Sequence, residues 1–235
     1  MAASVTDQAI NKIKDLIISG EFAAGSKLPR EADLAARLGL SRNSLREAVR
    51  ALTLIGVLDA RVGDGTYVTS LEADVLLTGM GFVGDLLEGT TLIEVYQVRR
   101  MLEPIATALA AARLTEEDFV ALQACLRRMD DVDVDRDHAD VSQAFVEADA
   151  EFHRIIVGAA GNATLASIIH SLSGGMMRAR LWRTITEHDA VAITRQRHRD
   201  IYNALRDRDP EQASAADLIH LADGERWLAA RVTRG

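Results

Sequence analysis

The chain has 235 residues, 48% of them apolar and only 4% aromatic, with a single cysteine and a net charge of -8. That length holds a small domain and a larger one, the scarcity of aromatics points to an Ala, Leu, Val and Ile core that suits helices, and Cys125 has no partner for a disulfide within the chain. No apolar run approaches the roughly 20 residues a bilayer needs and no basic-then-apolar leader opens the chain, so a cytoplasmic protein with no membrane partner is expected.

The acidity is unevenly spread. Residues 1–70 carry nine Lys or Arg against eight Asp or Glu, while the remainder holds the excess of acid, and between Lys27 and Arg50 six basic residues face three acidic ones. An acidic total therefore does not exclude a nucleic-acid partner for the N-terminal part. All three lysines, Lys12, Lys14 and Lys27, also lie there. A Schiff base in the C-terminal part is excluded, and with it a regulator built on a pyridoxal-phosphate enzyme.

In chain order, Thr6 or Asp7 is expected to cap a first helix whose buried face is Ile10, Ile13, Ile17 and Ile18, with Gly20 ending it. Pro29 stands where a second helix can start. Residues 31–38 have Leu34, Ala35 and Leu38 on one side, Gly39 makes a turn, and Ser41 is an N-cap for a third helix packed through Leu45, Ala48, Val49 and Leu52. Helix, glycine turn, helix is the helix-turn-helix pattern. It leaves Arg42, Asn43, Ser44 and Arg46 on the first turn and outer side of the third helix, where side chains can reach base edges and phosphates in a major groove. Two short strands, 57–61 and 66–69, are joined by Val62-Gly63-Asp64-Gly65, whose glycines suit a tight hairpin.

These residues resemble the GntR family of bacterial winged-helix transcription regulators. The resemblance rests on Lys27-Leu28-Pro29-Arg30-Glu31, Leu34-Ala35, Leu40-Ser41-Arg42, Leu45-Arg46-Glu47-Ala48, Gly56-Val57-Leu58 and Gly63-Asp64-Gly65-Thr66-Tyr67-Val68, in that order. It implies DNA contacts from Ser41, Arg42, Asn43, Ser44 and Arg46, with the hairpin as a wing whose Gly63 and Thr66 come near the backbone and whose Arg61 either touches phosphate or is a solvated strand residue. The family's arginine after the glutamate of its Leu-Pro-x-Glu motif is replaced here by Ala32. Arg30, two residues earlier, is expected to take over that contact.

Four glycines between 72 and 91 mark a linker, giving a head at 1–70, a linker at 71–91 and a helical domain at 92–235. The helical pattern predicts helices at 92–113, 115–129, 139–158, 162–171, 175–186, 190–207 and 210–232, an antiparallel bundle whose interior suits a ligand. Asp131, Asp133 and Asp135 imitate a calcium loop, but Arg136 and Ser142 stand where glycine and glutamate are required, which leaves a solvated acidic loop. The fold class is thus mainly α: a winged helix-turn-helix followed by an all-helical bundle.

Inside the bundle, Asp149 and His153 are four apart and share a helix face. His198 lies eleven residues before Asp209 and His220 eleven after it, so in a helical hairpin both stand at one height, roughly 16 Å from the turn. Three imidazoles and a carboxylate suit a divalent transition ion, zinc first and nickel or manganese next. Asp149-Ala150-Glu151-Phe152-His153, Gly161-Asn162, His198-Arg199-Asp200-Ile201 and His220-Leu221 resemble the FCD effector-binding domain of the FadR subfamily. The resemblance implies that Asp149, His153, His198 and His220 hold a metal that helps bind a small carboxylate. Arg99 falls on the stripe Val95, Leu102, Ala106 and Leu109, and there it either meets the ligand's carboxylate or pairs with Glu103. Asn162 is either a ligand contact or a helix cap. Arg178 and Arg180 either line the pocket or face solvent.

Together these features lead to a homodimeric DNA-binding regulator on a palindromic operator, a repressor by family habit, controlled by a small organic acid. The alternatives are a metal-dependent hydrolase, for which Glu151 points off the metal face and no general base is evident, and a metal with a purely structural role.

Overall fold

A computed structural model describes residues 4–77, 90–132, 138–174 and 176–232, apart from the side chains of 138–142 and 188. It divides into two compact units, Met1–Gly79 and Met80–Gly235, and is mainly α, as the sequence predicts. Most of the expected linker and the acidic stretch 133–137 fall outside the described residues, although residues 73–77 are helical.

The first unit opens with α1 (Val5–Ile18), capped by Ser4, ahead of both expected residues, Thr6 and Asp7. The Ser4 hydroxyl accepts from the Asp7 amide and the Asp7 carboxylate accepts from the Ser4 amide, so Asp7 is the reciprocal partner and not the cap. Ile18 is 73% exposed, because it lies about 140° around the helix from the fully buried Ile13, and Ala9 takes its place in the core. Pro29 precedes the N-cap, Arg30, of α2 (Glu31–Leu38). Gly39 ends that helix at φ +65°, a left-handed turn that a side chain would strain, and Ser41 caps α3 (Arg42–Leu54) by accepting from the Ser44 amide at 3.1 Å. Leu34, Leu45, Ala48 and Leu52 from these helices close over Leu58 and Val68 of a hairpin, β1 (Leu58–Arg61) and β2 (Gly65–Val68), which pairs antiparallel with Leu58 opposite Val68. The preceding loop docks on β2 through Leu28 N–H to Thr66 O at 2.8 Å and Val68 N–H to Ser26 O at 2.9 Å, which fixes the hairpin to α2.

The second unit contains α4 (Thr90–Ala111), α5 (Glu116–Asp130), α6 (His138–Gly158), α7 (Ala163–Gly174), α8 (Met177–Thr186), α9 (His188–Arg206) and α10 (Pro210–Val232). Thr115 and Asp118 form a capping box on α5, and the Asp209 carboxylate accepts the amides of Glu211 and Gln212 to start α10. Phe119, Leu122, Met129, Phe145, Phe152, Ile156, Ile201 and Leu205 make the largest core cluster, shared by α5, α6 and α9.

The α4 stripe is turned from the sequence reading. Val95, Arg99, Glu103, Ala106, Thr107 and Ala110 face in, whereas Leu102 is half-buried and Leu109 is exposed, with Val98, Met101 and Ile105 outward beside it. Val95, Arg99 and Ala106 thus face in as expected, and the departure is at Leu102 and Leu109, because Glu103, Thr107 and Ala110 occupy the buried face while apolar side chains remain outside.

Candidate functional site

The first unit presents its cations along α3 and the hairpin. Arg42 and Asn43 are exposed at the start of α3, and Ser44 is half-buried with its hydroxyl 2.8 Å from that of Ser41. Arg46 reaches Glu31 at 3.6 Å, and Arg30 is exposed at the α2 N-cap beside the half-buried Ala32. A groove between α3 and the hairpin is lined by Glu31, Arg46, Arg50 and Thr66, so Arg46 and Thr66 share one opening. In the hairpin, Arg61 pairs with Asp59 at 2.8 Å and lies 4.2 Å from the centre of the Tyr67 ring, and Gly63 turns the tip at φ +77°. Pairs this exposed contribute little to stability and exchange readily for phosphate.

Sequence reasoning passed over Lys27. Its ammonium donates to Asp64 at 2.8 Å while the Tyr67 hydroxyl donates to the other Asp64 oxygen at 2.8 Å, an arrangement that ties the wing to the loop before α2. Hydrogen bonds from Lys27 and then Tyr67 lower the Asp64 carboxyl below its ordinary pKa.

In the second unit, Asp149 and His153 of α6, His198 of α9 and His220 of α10 each bring one ligand atom to within 4.8 Å of the others. His198 Nε2 is 3.0 Å from Asp149 Oδ1, and His153 Nε2 is 3.2 Å from His220 Nε2. The His198 and His220 rings stand 4.7 Å apart, the juxtaposition that equal distances from the α9–α10 turn require. His198 Nδ1 donates to the Thr194 carbonyl at 2.8 Å, which turns Nε2 into the cluster.

The electrostatics favour ligation. Burial opposes charge on Asp149, but Arg180, 2.7 Å away, and then His198 outweigh it and hold the carboxyl well below its usual range. Burial pushes the pKa of His153 and His220 well below the ordinary imidazole value, with the neighbouring imidazoles adding to the effect. The imidazoles of His153 and His220, held neutral by burial beside an ionised carboxylate, together with His198 Nε2, are the donor set a divalent ion takes. The residues present fit such an ion.

A cavity of about 40 Å³ opens beside the cluster, lined in part by Arg99, Asp149, Arg180, Arg183, Thr194 and His220. Arg99 does pair with Glu103, through Nε at 2.5 Å and Nη2 at 3.0 Å, yet it also borders the cavity, and its Nη1 has no hydrogen-bond partner among the described residues. Asn162 is elsewhere: exposed, it caps α7 by accepting from the Leu165 amide at 3.0 Å, and it does not line the cavity. Arg180 lies at the cluster and Arg178 is exposed. Glu151 is taken up by Arg154 at 2.6 Å, away from the cluster.

The sequence marks Glu103 only as a partner for Arg99 and does not mark Asp217, yet both stand beside His153. Their carboxylates stand 3.8 and 3.9 Å from His153 Nδ1, on the side of the ring away from the cluster. Asp217 lies three residues before His220 on α10, a helical spacing that places it near the same level, but an acid at that spacing is too common to stand out. Burial, and then Glu103, raise the Asp217 carboxyl to about 7, against a hydrogen bond from Thr107 at 2.7 Å.

A three-helix head with a hairpin and a basic helix, continuous in sequence with a helical unit built round a buried Asp and His cluster, is the architecture of a winged-helix regulator with a ligand-binding domain. The gntR family model of bacterial regulatory proteins matches residues 5–68 and the FCD domain model matches residues 94–223. The chain belongs to the gntR family, in the FadR-type branch that carries an FCD domain, and is a DNA-binding transcription regulator of that type. It is 32% identical to the HTH-type transcriptional regulator YcbG of Bacillus subtilis, over 93% of this chain and 87% of that one. It is 27% identical to the galactonate operon transcriptional repressor of Escherichia coli, over 97% and 98%. Among solved structures, Streptococcus agalactiae GntR superposes with a TM-score of 0.62 at 28% identity, covering 94% of this chain and 99% of that one. Among the described residues no helix is long and apolar enough to cross a membrane.

Proposed function

We propose that this regulator is controlled by a small carboxylate metabolite that binds beside a divalent transition metal held by Asp149, His153, His198 and His220. The observation that carries the reading is the convergence of those four ligand atoms within 4.8 Å, with the His198 ring oriented by its Nδ1–H bond to Thr194. Bound there, the metal supplies a Lewis-acidic point of attachment for an anion. The chain's own part is to orient and neutralise that anion: Arg99 Nη1 is buried with no hydrogen-bond partner among the described residues, and Arg180 borders the same cavity. The cavity's size favours a short acid, and one relative is named for the operon of a sugar acid, galactonate.

The head reads DNA through Arg30, Ser41, Arg42, Asn43, Ser44 and Arg46, with Arg61, Gly63 and Thr66 of the hairpin on the backbone. Two copies on a palindromic operator satisfy the half-site rule for such heads. The outward stripe Val98, Met101, Ile105 and Leu109 on α4 supports a second copy as partner. Repression relieved by the acid is the sense we assign.

The test is metal analysis of the purified protein and of His198→Ala, with a thermal-shift screen of mono- and dicarboxylates and sugar acids. One ion per chain in the wild type, none in the variant, and acid-dependent stabilisation of the wild type alone are expected. Equal metal in both proteins, or acids that stabilise both alike, would overturn the reading.

A further inference from the structure

A histidine that gives Nε2 to a metal keeps a proton on Nδ1, and a buried N–H needs an acceptor. His198 has one in the Thr194 carbonyl. On the Nδ1 side of His153 stand two buried carboxylates from two different helices, Glu103 of α4 and Asp217 of α10, at 3.8 and 3.9 Å. They differ in what they have left to accept. Both Glu103 oxygens already receive Arg99. Asp217 receives Thr107 on Oδ2 at 2.7 Å, and its Oδ1, the atom that faces His153, is buried with no hydrogen-bond partner among the described residues. A buried carboxylate oxygen left unmatched is costly and calls for a reason.

We infer that Asp217 is a positioning residue for the metal centre, its Oδ1 taking the hydrogen bond from His153 Nδ1–H when an ion occupies Nε2. The inference rests on the metal reading above and extends it to residues behind the ligands. An approach of about 1 Å turns the present separation into an ordinary N–H to O hydrogen bond. Thr107 holds the carboxylate in orientation, and the Arg99–Glu103 pair walls the other side, so the ring has one free acceptor. The contact fixes the His153 tautomer and makes Nε2 a stronger donor to the ion.

The same three groups, Glu103, His153 and Asp217, lie close enough together to suggest a second ion of their own. That arrangement would strip His153 of both protons and set a cation against Arg99, which is bound to Glu103 through two nitrogens. The hydrogen-bond role needs neither.

The experiment uses the full chain, stripped of metal and titrated with zinc alone against a chromophoric chelator, in wild type, Asp217→Ala and Asp217→Asn, with circular dichroism and melting of each metal-free protein alongside. One zinc per wild-type chain is expected. Affinity should fall about 10- to 100-fold in Asp217→Ala and less in Asp217→Asn, whose amide oxygen still accepts, with helix content unchanged. A merely structural Asp217 would lower metal-free melting without moving zinc affinity. Zinc affinities in Asp217→Asn and Asp217→Ala that match the wild type overturn the inference while leaving the metal reading in place. So do two zinc ions in the wild type that become one in Asp217→Ala. A wild type that binds no zinc removes the metal reading and this inference together.

Discussion

Replacing Asp217 by Asn in the metal-free protein is expected to stabilise the helical unit, and to do so more strongly as the pH rises. Asp217 is 1% exposed, and burial followed by Glu103 raises its carboxyl from 3.8 to about 7, with Thr107 and Arg99 acting the other way. Between those two values the unfolded chain has released the proton that the folded state still holds. The folded state thus binds more protons there, and stability falls as pH rises through the window. Raising the carboxyl from 3.8 to about 7 is worth at most about 4 kcal/mol.

Asn is neutral at every pH and its amide can still hydrogen-bond Thr107, whose hydroxyl donates to an oxygen or accepts from an NH2, so it removes the penalty with little change of shape. The groups facing Asp217 are Glu103, Arg99 and Thr107 on α4 and His153 on α6, and all are present in both proteins. Burial also keeps His153 and His220 neutral, so both proteins lose stability as pH falls below about 6.5, a trend that cancels in the comparison. Urea unfolding followed by tryptophan fluorescence isolates the helical unit, because the chain's two tryptophans, Trp182 and Trp227, both lie in it. The advantage of Asp217→Asn should grow by about 2 to 3 kcal/mol between about pH 5 and about pH 8. A difference that stays constant with pH would refute the reasoning, because it would mean the carboxyl titrates alike in both states.

Other outcomes follow from the head. Ser41→Ala removes the α3 cap and should cost about 1 kcal/mol by thermal melting, with weaker operator binding as the first turn frays. Leu45→Ala, at a fully buried position, should cost about 2 to 5 kcal/mol and is checked by the same melting. Arg42→Ala should weaken operator binding by about 1 to 3 kcal/mol in fluorescence anisotropy. A loss uniform across sequences, with the salt slope reduced by about one, assigns a phosphate contact, and a loss confined to one base position assigns a base contact. Arg30→Ala with unchanged operator affinity would remove Arg30 from the interface and leave the role vacated at Ala32 unfilled.

Much of the fold was legible because its signals are local. Ser41, Gly39 and the Leu45, Ala48, Val49 and Leu52 stripe state the turn and helix outright, and the symmetric distances of His198 and His220 about Asp209 place two imidazoles together without any long-range information. Periodicity placed Arg99 on the inward face of α4, and its pair with Glu103 lies one turn on along the same helix. What periodicity could not supply is that Glu103 and Thr107 are buried beside it, because Thr107 meets Asp217 across the bundle, 110 residues away, and no window of sequence contains that partner. The choice between pocket and solvent at Arg180 stayed open for a related reason: what decides it is Asp149 on another helix. The cap of α1 was misplaced by a smaller margin, since Ser4, Thr6 and Asp7 are all good caps and only the reciprocal bond between Ser4 and Asp7 decides among them.

The central claim is that one chain couples an anion site among buried histidines to a DNA-reading head. Its most direct measurement is operator affinity, with the duplex obtained by selection from a random pool and the zinc-loaded protein titrated by anisotropy with and without an acid that the thermal-shift screen has shown to bind. The account predicts a change of about 5- to 150-fold in operator affinity for the wild type and none for His198→Ala. An acid that saturates the wild-type helical unit yet leaves operator affinity unmoved would contradict it.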